Sequence, residues 1–202
     1  MFYPNLVRRT DYPLRDDGHF YSYSRYREEI TTDCSHRCVY CDVTLEEHAG
    51  EGMQLDHLKP QQLFPALKND PDNLVLSCPK CNRLKSCHWP ADPTLGIDGF
   101  LDPFTANRID WYHILPCGEI KETNPATGIK IELLQLNRPA RKQLRRRRLI
   151  EQRIQAIDSE VHNRLVALRD VIGSKEIPGD DKGQLVEQII LLREQIDLLR
   201  AL

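Results

Sequence analysis

The chain has 202 residues, 40% of them hydrophobic and 29% charged, with a formal net charge of −2. This excludes a disordered polyampholyte, and no apolar run approaches the ~18 residues of a membrane helix, so a soluble protein with one ordinary domain, or a small domain with an appendage, is expected. Charge is uneven: from Arg138 onward there are 14 Lys and Arg against 10 Asp and Glu, and the preceding residues hold 14 against 20, so a polyanion would be met locally, by the C-terminal part.

The N-terminal stretch has no apolar h-region, which sets a cytoplasmic location as the expectation. The first expected element is a short helix over 22–31, in "YSYSRYREEITTDC". It reads either as a packed helix with a polar face or as a surface on which Arg25 and Arg27 meet phosphates beside stacking tyrosines. Next come two C-x-x-C pairs, Cys38 with Cys41 and Cys78 with Cys81, separated by 36 residues. An odd total of seven cysteines argues against a disulfide framework, whereas two such knuckles supply the four thiolates of a structural Zn²⁺ site. Cys34, Cys87 and Cys117 are left over and read as small buried hydrophobes.

Between the knuckles, "MQLDH" and "NLVLSC" read as two short strands, separated by a loop over 60–72 that carries the turn signal "KNDPDN". Pro79 then sits where a helix favours its first residue, and "KCNRLKSC" continues as a short helix. In that order the end of the first strand can face the first turns of the helix. Asp56 and His57 come from the strand and Asn82 from the helix, with zinc holding the helix against the strands. A carboxylate and an amide oxygen are hard ligands suited to Mg²⁺ or Mn²⁺, and an imidazole is a suitable general base. The three describe metal-assisted hydrolysis of a phosphodiester, with Asn73 holding the loop or orienting His57. His88, past the helix, is a further possible ligand or phosphate contact.

The segment from Cys38 to about Trp89 resembles the HNH, or ββα-metal, endonucleases. The marks are C-x-x-C, then Asp56, His57 and Pro60, then Asn73, Leu74, Cys78, Cys81, Asn82 and Lys85. The resemblance implies that His57 is the general base and that Asp56 and Asn82 hold the catalytic metal. Asn82 stands where many members carry His, and "NRLKS" is similar to the matching helix in the nuclease domain of RNA-guided CRISPR effectors.

After the zinc frame, "ADPTLGIDGFLDPFTANRID" reads as a loop, and "WYHILPCGEIKETNPATGIKIELLQLN" as a β-hairpin turning at residues 124–128. "RKQLRRRR" places six basic residues in eight positions, 141–148. It reads as a helix that contacts nucleic-acid backbone or as a solvated helix start. Apolar residues then recur by threes and fours at Ile150, Ile154, Ile157, Val161, Leu165, Leu168 and Ile172. After "GSKEIPGDDKG" the same spacing resumes at Leu185, Ile189, Leu192, Ile196 and Leu199. Together these predict an antiparallel helical hairpin that packs, self-associates or receives a partner. Hairpin, "LQLNRP" and basic helix together resemble a subgroup of bacterial HNH proteins, some of which accompany ATPase partners in anti-phage defence, as in Septu-like systems.

The expected class is therefore α+β: a zinc-bound ββα-metal, treble-clef-like core with a β-hairpin and a C-terminal helical hairpin. The expected parts are an N-terminal segment over 1–33, the nuclease core over 34–90, a loop and hairpin extension over 91–137, and a basic helix and helical hairpin over 138–202. The expected activity is hydrolysis of double-stranded DNA as the nuclease component of an anti-phage system. Expected phosphate contacts are Lys59, Lys80, Arg83, Lys85, Arg141, Lys142, Arg145, Arg146, Arg147 and Arg148, with Lys85 reading equally as a brace for its helix. Two other readings stay open, a non-catalytic zinc module that docks nucleic acid or protein, and an RNA-cleaving effector.

Overall fold

A computed structural model describes residues 2–48, 52–89, 102–104, 108–123, 125–173 and 179–200. Most of the expected loop after the zinc frame, and the link between the two C-terminal helices, lie outside those residues. The chain divides into two compact units, Met1–Lys142 and Gln143–Leu202.

In the first unit a 3₁₀ turn at Tyr23–Tyr26 leads into helix α1, Arg27–Asp33. Glu28 and Glu29 lie in the first turn of α1, where the helix dipole favours acids. Ser35 and His36, both in the left-handed region (φ 52° and 55°), stop it. Tyr26 and Ile30 turn the buried face of this segment inward. Arg25 pairs with Glu29 one turn on, and Arg27 donates to the Met53 carbonyl, the behaviour of a packed helix with a polar face.

Strands β1, Gln54–His57, and β2, Leu74–Ser77, pair antiparallel, with Asp56 opposite Val75 and His57 opposite Leu74. Every residue of β2 is buried, so this strand is the centre of the unit. α1 packs on β2, and the Val39 N–H donates to the Leu76 carbonyl at 2.9 Å, which docks the first knuckle on the strand's free edge. From the N-terminal segment, Arg8 donates to the carbonyls of Pro71 (2.8 Å) and Leu74 (3.1 Å). Helix α2, Pro79–Lys85, follows β2 at once, with Cys78 at its N-cap and Pro79 in its first turn.

The expected hairpin is displaced. Strands β3, Tyr112–Ile114, and β4, Ile120–Glu122, pair around a turn closed by the Gly118 N–H on the Leu115 carbonyl. The segment read as its second strand is helix α3, Pro125–Leu133. The alternation Ile129, Ile131, Leu133 suggests a strand, but the buried positions Ala126, Lys130 and Leu134 follow the helical spacing of four. Pro125 starts the helix, and Thr127 Oγ1 accepts the Thr123 N–H. Asn124, placed at the expected turn, lies outside the described residues.

Helix α4, Pro139–Gly173, begins in the first unit and continues through the second, where helix α5, Gly179–Arg200, accompanies it. Ile157 and Val161 of α4 bury with Ile189 and Ile196 of α5, flanked by Ile154 and Leu192. Arg164 hydrogen-bonds Gln188, whereas Asp158 and Val161 lie beside Arg193 and Ile196. Numbers rise on one helix as they fall on the other, so the pair is antiparallel, as the spacing predicts. The side chains of Leu168, Ile172, Leu185 and Leu199 lie outside the described set. No helix among the described residues is long and apolar enough to cross a membrane.

Candidate functional site

The four paired cysteines converge. The sulfurs of Cys38, Cys41, Cys78 and Cys81 all lie within 4.8 Å of one another and are buried; Cys41 and Cys78 are 3.7 Å apart. Zinc–sulfur bonds of ~2.3 Å in a tetrahedron place sulfurs roughly 3.8 Å apart, so the donor set fits that ion. The local folds explain the convergence. In the first knuckle Asp42 takes the left-handed turn (φ 63°), with its carboxylate 3.0 Å from Arg37, and the Cys38 N–H bonds the Val43 carbonyl. In the second, Cys78 caps α2 and its sulfur takes the Cys81 backbone N–H, where the partial positive charge of a helix start favours thiolates.

Cys34 is buried with its thiol pushed up to about 12 by desolvation, and its sulfur accepts the Leu76 N–H at 3.2 Å; it packs as a small hydrophobe, as expected. Cys87 and Cys117 are exposed, which corrects the buried reading for both. Cys87 follows the end of α2 and Cys117 sits in the β3–β4 turn, places that offer no core.

Beside the sulfur cluster a cleft of about 250 Å³ is lined by Tyr23, Asp56, His57, Gln61, Gln62, Asn82 and Ser86. The three residues chosen from sequence thus share one cavity. Asp56 and His57 are 7% and 8% exposed, so each is almost wholly held by protein. The Nε2 atom of His57 is 2.8 Å from the Lys68 carbonyl oxygen, and the Tyr23 ring packs edge-on at 5.1 Å between centroids. A carbonyl only accepts, so in neutral imidazole Nε2 carries the proton and Nδ1 keeps the lone pair.

Asp56 accepts from the Tyr40 hydroxyl at 2.7 Å on Oδ2 and lies 3.4 Å from the Lys85 ammonium on Oδ1. Burial pushes the Asp56 carboxyl up, opposed by the Lys85 charge, and pushes the Lys85 ammonium down, opposed by Asp56. Each carboxylate oxygen has two acceptor sites, so one bond apiece leaves capacity for a metal. Tyr40, which the sequence reading passed over, stands between the two cysteines of the first knuckle and so links sulfur cluster and carboxylate directly. Only its C-x-Y-C placement pointed to it.

Asn82 Nδ2 donates to Gln54 Oε1 at 2.9 Å, which fixes the amide and leaves its oxygen as the donor for a hard cation. Asn73 works on the loop: Oδ1 accepts the Lys59 N–H at 2.8 Å, and Nδ2 donates to the carbonyls of Lys59 and Leu67. These bonds join Lys59 to Leu67, the residue before Lys68, whose carbonyl faces His57.

The expected phosphate contacts divide sharply. Lys85 is 0% exposed and donates to the His57 carbonyl at 2.7 Å. Its buried ammonium braces the end of β1, so the phosphate reading is corrected. Arg145 is 1% exposed and is corrected likewise. Arg141 points its Nε at the Cys41 sulfur, 3.3 Å away, and Lys142 pairs with Glu119 at 3.0 Å. Lys59, Arg83, Arg146 and Arg147 are exposed, and Lys80 and Arg148 half-buried. His88 is exposed and does not line the cleft.

Two comparisons bear on this geometry. Residues 38–88 match the model of the HNH endonuclease family. That segment, about a quarter of the chain, is similar to an HNH domain. It holds both cysteine pairs, both strands of the β1–β2 sheet, α2 and every polar group discussed at the cleft except Tyr23. A Septu protein PtuB from Bacillus thuringiensis is 35% identical over 54 residues, 27% of this chain; the match spans 21% of that relative's length. The α+β class and the four-cysteine cluster expected of an HNH domain are thus both present.

Buried pairing makes Lys85 a stability element as well. Lys85→Met removes the cation from a carboxylate that stays buried, and loss of one partner of a buried pair costs about 3–5 kcal/mol. Urea unfolding should show a lowered midpoint at unchanged slope; a cost under about 1 kcal/mol would mean that Asp56 does not depend on Lys85.

Proposed function

We propose that the chain is a metal-dependent HNH endonuclease that hydrolyses phosphodiester bonds in double-stranded DNA. The observation that supports this most is the orientation of His57: the Lys68 carbonyl takes Nε2, so Nδ1 is the basic nitrogen at a cleft that Asp56 and Asn82 also line. Zn²⁺ on the four sulfurs is structural. Asp56 and Asn82 would hold Mg²⁺ or Mn²⁺, which supplies positive charge for the scissile phosphate and the leaving oxygen. His57 Nδ1 takes the proton of the attacking water. Lys85 and Tyr40 keep Asp56 in place, and Asn73 keeps the Lys68 loop against His57. Lys59, Lys80 and Arg83, with Arg146, Arg147 and Arg148 of α4, are the phosphate contacts in this reading.

The parts we assign are the nuclease core over 34–90, the extension over 91–137, and a C-terminal helical part that binds DNA, a partner or a second copy. Likeness to a Septu protein supports a role as the nuclease of a cytoplasmic anti-phage system acting with a partner subunit, for which an ATPase fits the resemblance drawn from the sequence. The experiment is cleavage of supercoiled plasmid, duplex DNA and RNA with Mg²⁺ or Mn²⁺, against EDTA. Metal-dependent nicking of DNA is the expected result. Cleavage of RNA alone would transfer the mechanism to the other substrate, and no cleavage with or without the chain's genomic neighbours would leave a binding module.

Tyr40→Phe removes one hydroxyl and little volume. Loss of a hydrogen bond to a metal-holding carboxylate typically costs about 10–100-fold in metal affinity or activity. Mn²⁺ titration followed by electron paramagnetic resonance should show weaker binding at normal zinc content. Unchanged Mn²⁺ affinity would detach Tyr40 from the metal.

A further inference from the structure

The basic run 141–148 enters the fold by an unexpected route. Its first arginine, and Arg138 just before it, are turned toward the sulfur cluster. Arg138 Nη2 lies 3.6 Å from the Cys81 sulfur and 3.9 Å from that of Cys78, and Arg141 Nε lies 3.3 Å from that of Cys41. Arg138 Nη1 also donates to the carbonyls of Leu134 (3.1 Å) and Gln135 (3.2 Å), just past the end of α3. Both arginines are half-buried, so side-chain freedom has been given up for these contacts.

Four thiolates around one divalent ion carry an excess of two negative charges, inside a site where every sulfur is buried. Two guanidinium groups balance that excess. Arginine suits the task because it stays charged when desolvated and offers several N–H donors in a rigid plane. We propose that Arg138 and Arg141 are positioning residues of the zinc site, donating N–H···S hydrogen bonds that hold the thiolates on the ion and fasten the first turn of α4 to the nuclease core. This rests on the reading of the four-sulfur cluster as a zinc site. The sequence motif thereby splits by function: its start serves the metal, and Arg146 and Arg147 stay exposed for a polyanion.

Zinc loss to a chelator transfers the ion and leaves each thiolate to take a proton from solvent. Without the guanidinium partners that exchange should be faster. The full-length chain, as wild type, R138Q, R141Q, R138Q/R141Q, R138K/R141K and the exposed-site control R146Q/R147Q, is assayed for zinc content by mass spectrometry. The rate of zinc transfer to excess pyridylazoresorcinol is then followed, with circular dichroism to confirm folding. The double Gln variant should release zinc roughly tenfold faster or more, each single Gln less, the Lys variant in between, and the control at the wild-type rate. If the double variant fails to fold, the single and Lys variants still report the order. Equal rates across the series would overturn the proposal while leaving the zinc site intact. A wild-type chain that binds no zinc would overturn the zinc reading itself and this proposal with it.

Discussion

His57→Ala should reduce cleavage by roughly 10²–10⁴-fold, the usual contribution of a positioned general base. That range corresponds to about 3–5 kcal/mol of transition-state stabilisation. The magnitude follows from the orientation of the ring. The Lys68 carbonyl 2.8 Å from Nε2 selects the tautomer with basic Nδ1, and the edge-on Tyr23 ring restricts rotation about the side chain. Among the described residues that line the cleft, the other carboxylate, Asp56, already holds the Tyr40 hydroxyl and the Lys85 ammonium. Zinc content should be unchanged, since His57 does not touch the sulfurs. Residual activity above about a tenth of wild type, at normal folding, would remove His57 from the role of base.

Loss of the sulfur-bound ion should have the largest effect on the fold. The four cysteines tie the first knuckle to α2 across β2, beside the Val39–Leu76 bond and the Tyr40–Asp56 contact. Structural zinc sites contribute about 10–16 kcal/mol of apparent binding energy, comparable to or larger than the ~5–15 kcal/mol by which a domain is stable. Cys78→Ser, or treatment with a strong chelator, should therefore abolish the cooperative thermal transition of the first unit and collapse its near-ultraviolet dichroism. A Cys78→Ser protein with near-normal unfolding and one zinc per chain would show that the four thiolates are not its ligands.

Legibility from sequence followed how local each feature is. The knuckles, the strand pair that carries Asp56, and the helix opened by Pro79 are short-range patterns with fixed spacing, and the structure places them as read, with Asn73 in the 3₁₀ turn just before β2 rather than at its start. The Asp56–His57–Asn82 grouping was legible because zinc and one hairpin determine it. The helix over 125–133 was not: its apolar residues satisfy the strand period and the helical one together, and only packing chooses. Arg141 and Arg145 read as surface charge, and Lys85 as either a phosphate contact or a helix brace, because sequence shows a cation without its surroundings. Lys85 meets Asp56 from 29 residues away and Arg141 meets Cys41 from 100, pairings that no local pattern announces. Tyr40 was missed for the same reason, its partner being 16 residues on.

The most direct trial of the account is a crystal structure of the His57→Ala chain with Mn²⁺ and a short DNA duplex, with anomalous maps recorded at the zinc and manganese edges. A zinc peak is expected centred on Cys38, Cys41, Cys78 and Cys81, and a manganese peak touching Asp56 and Asn82 with a backbone phosphate beside it. A manganese peak elsewhere, or none in the presence of bound DNA, would contradict it.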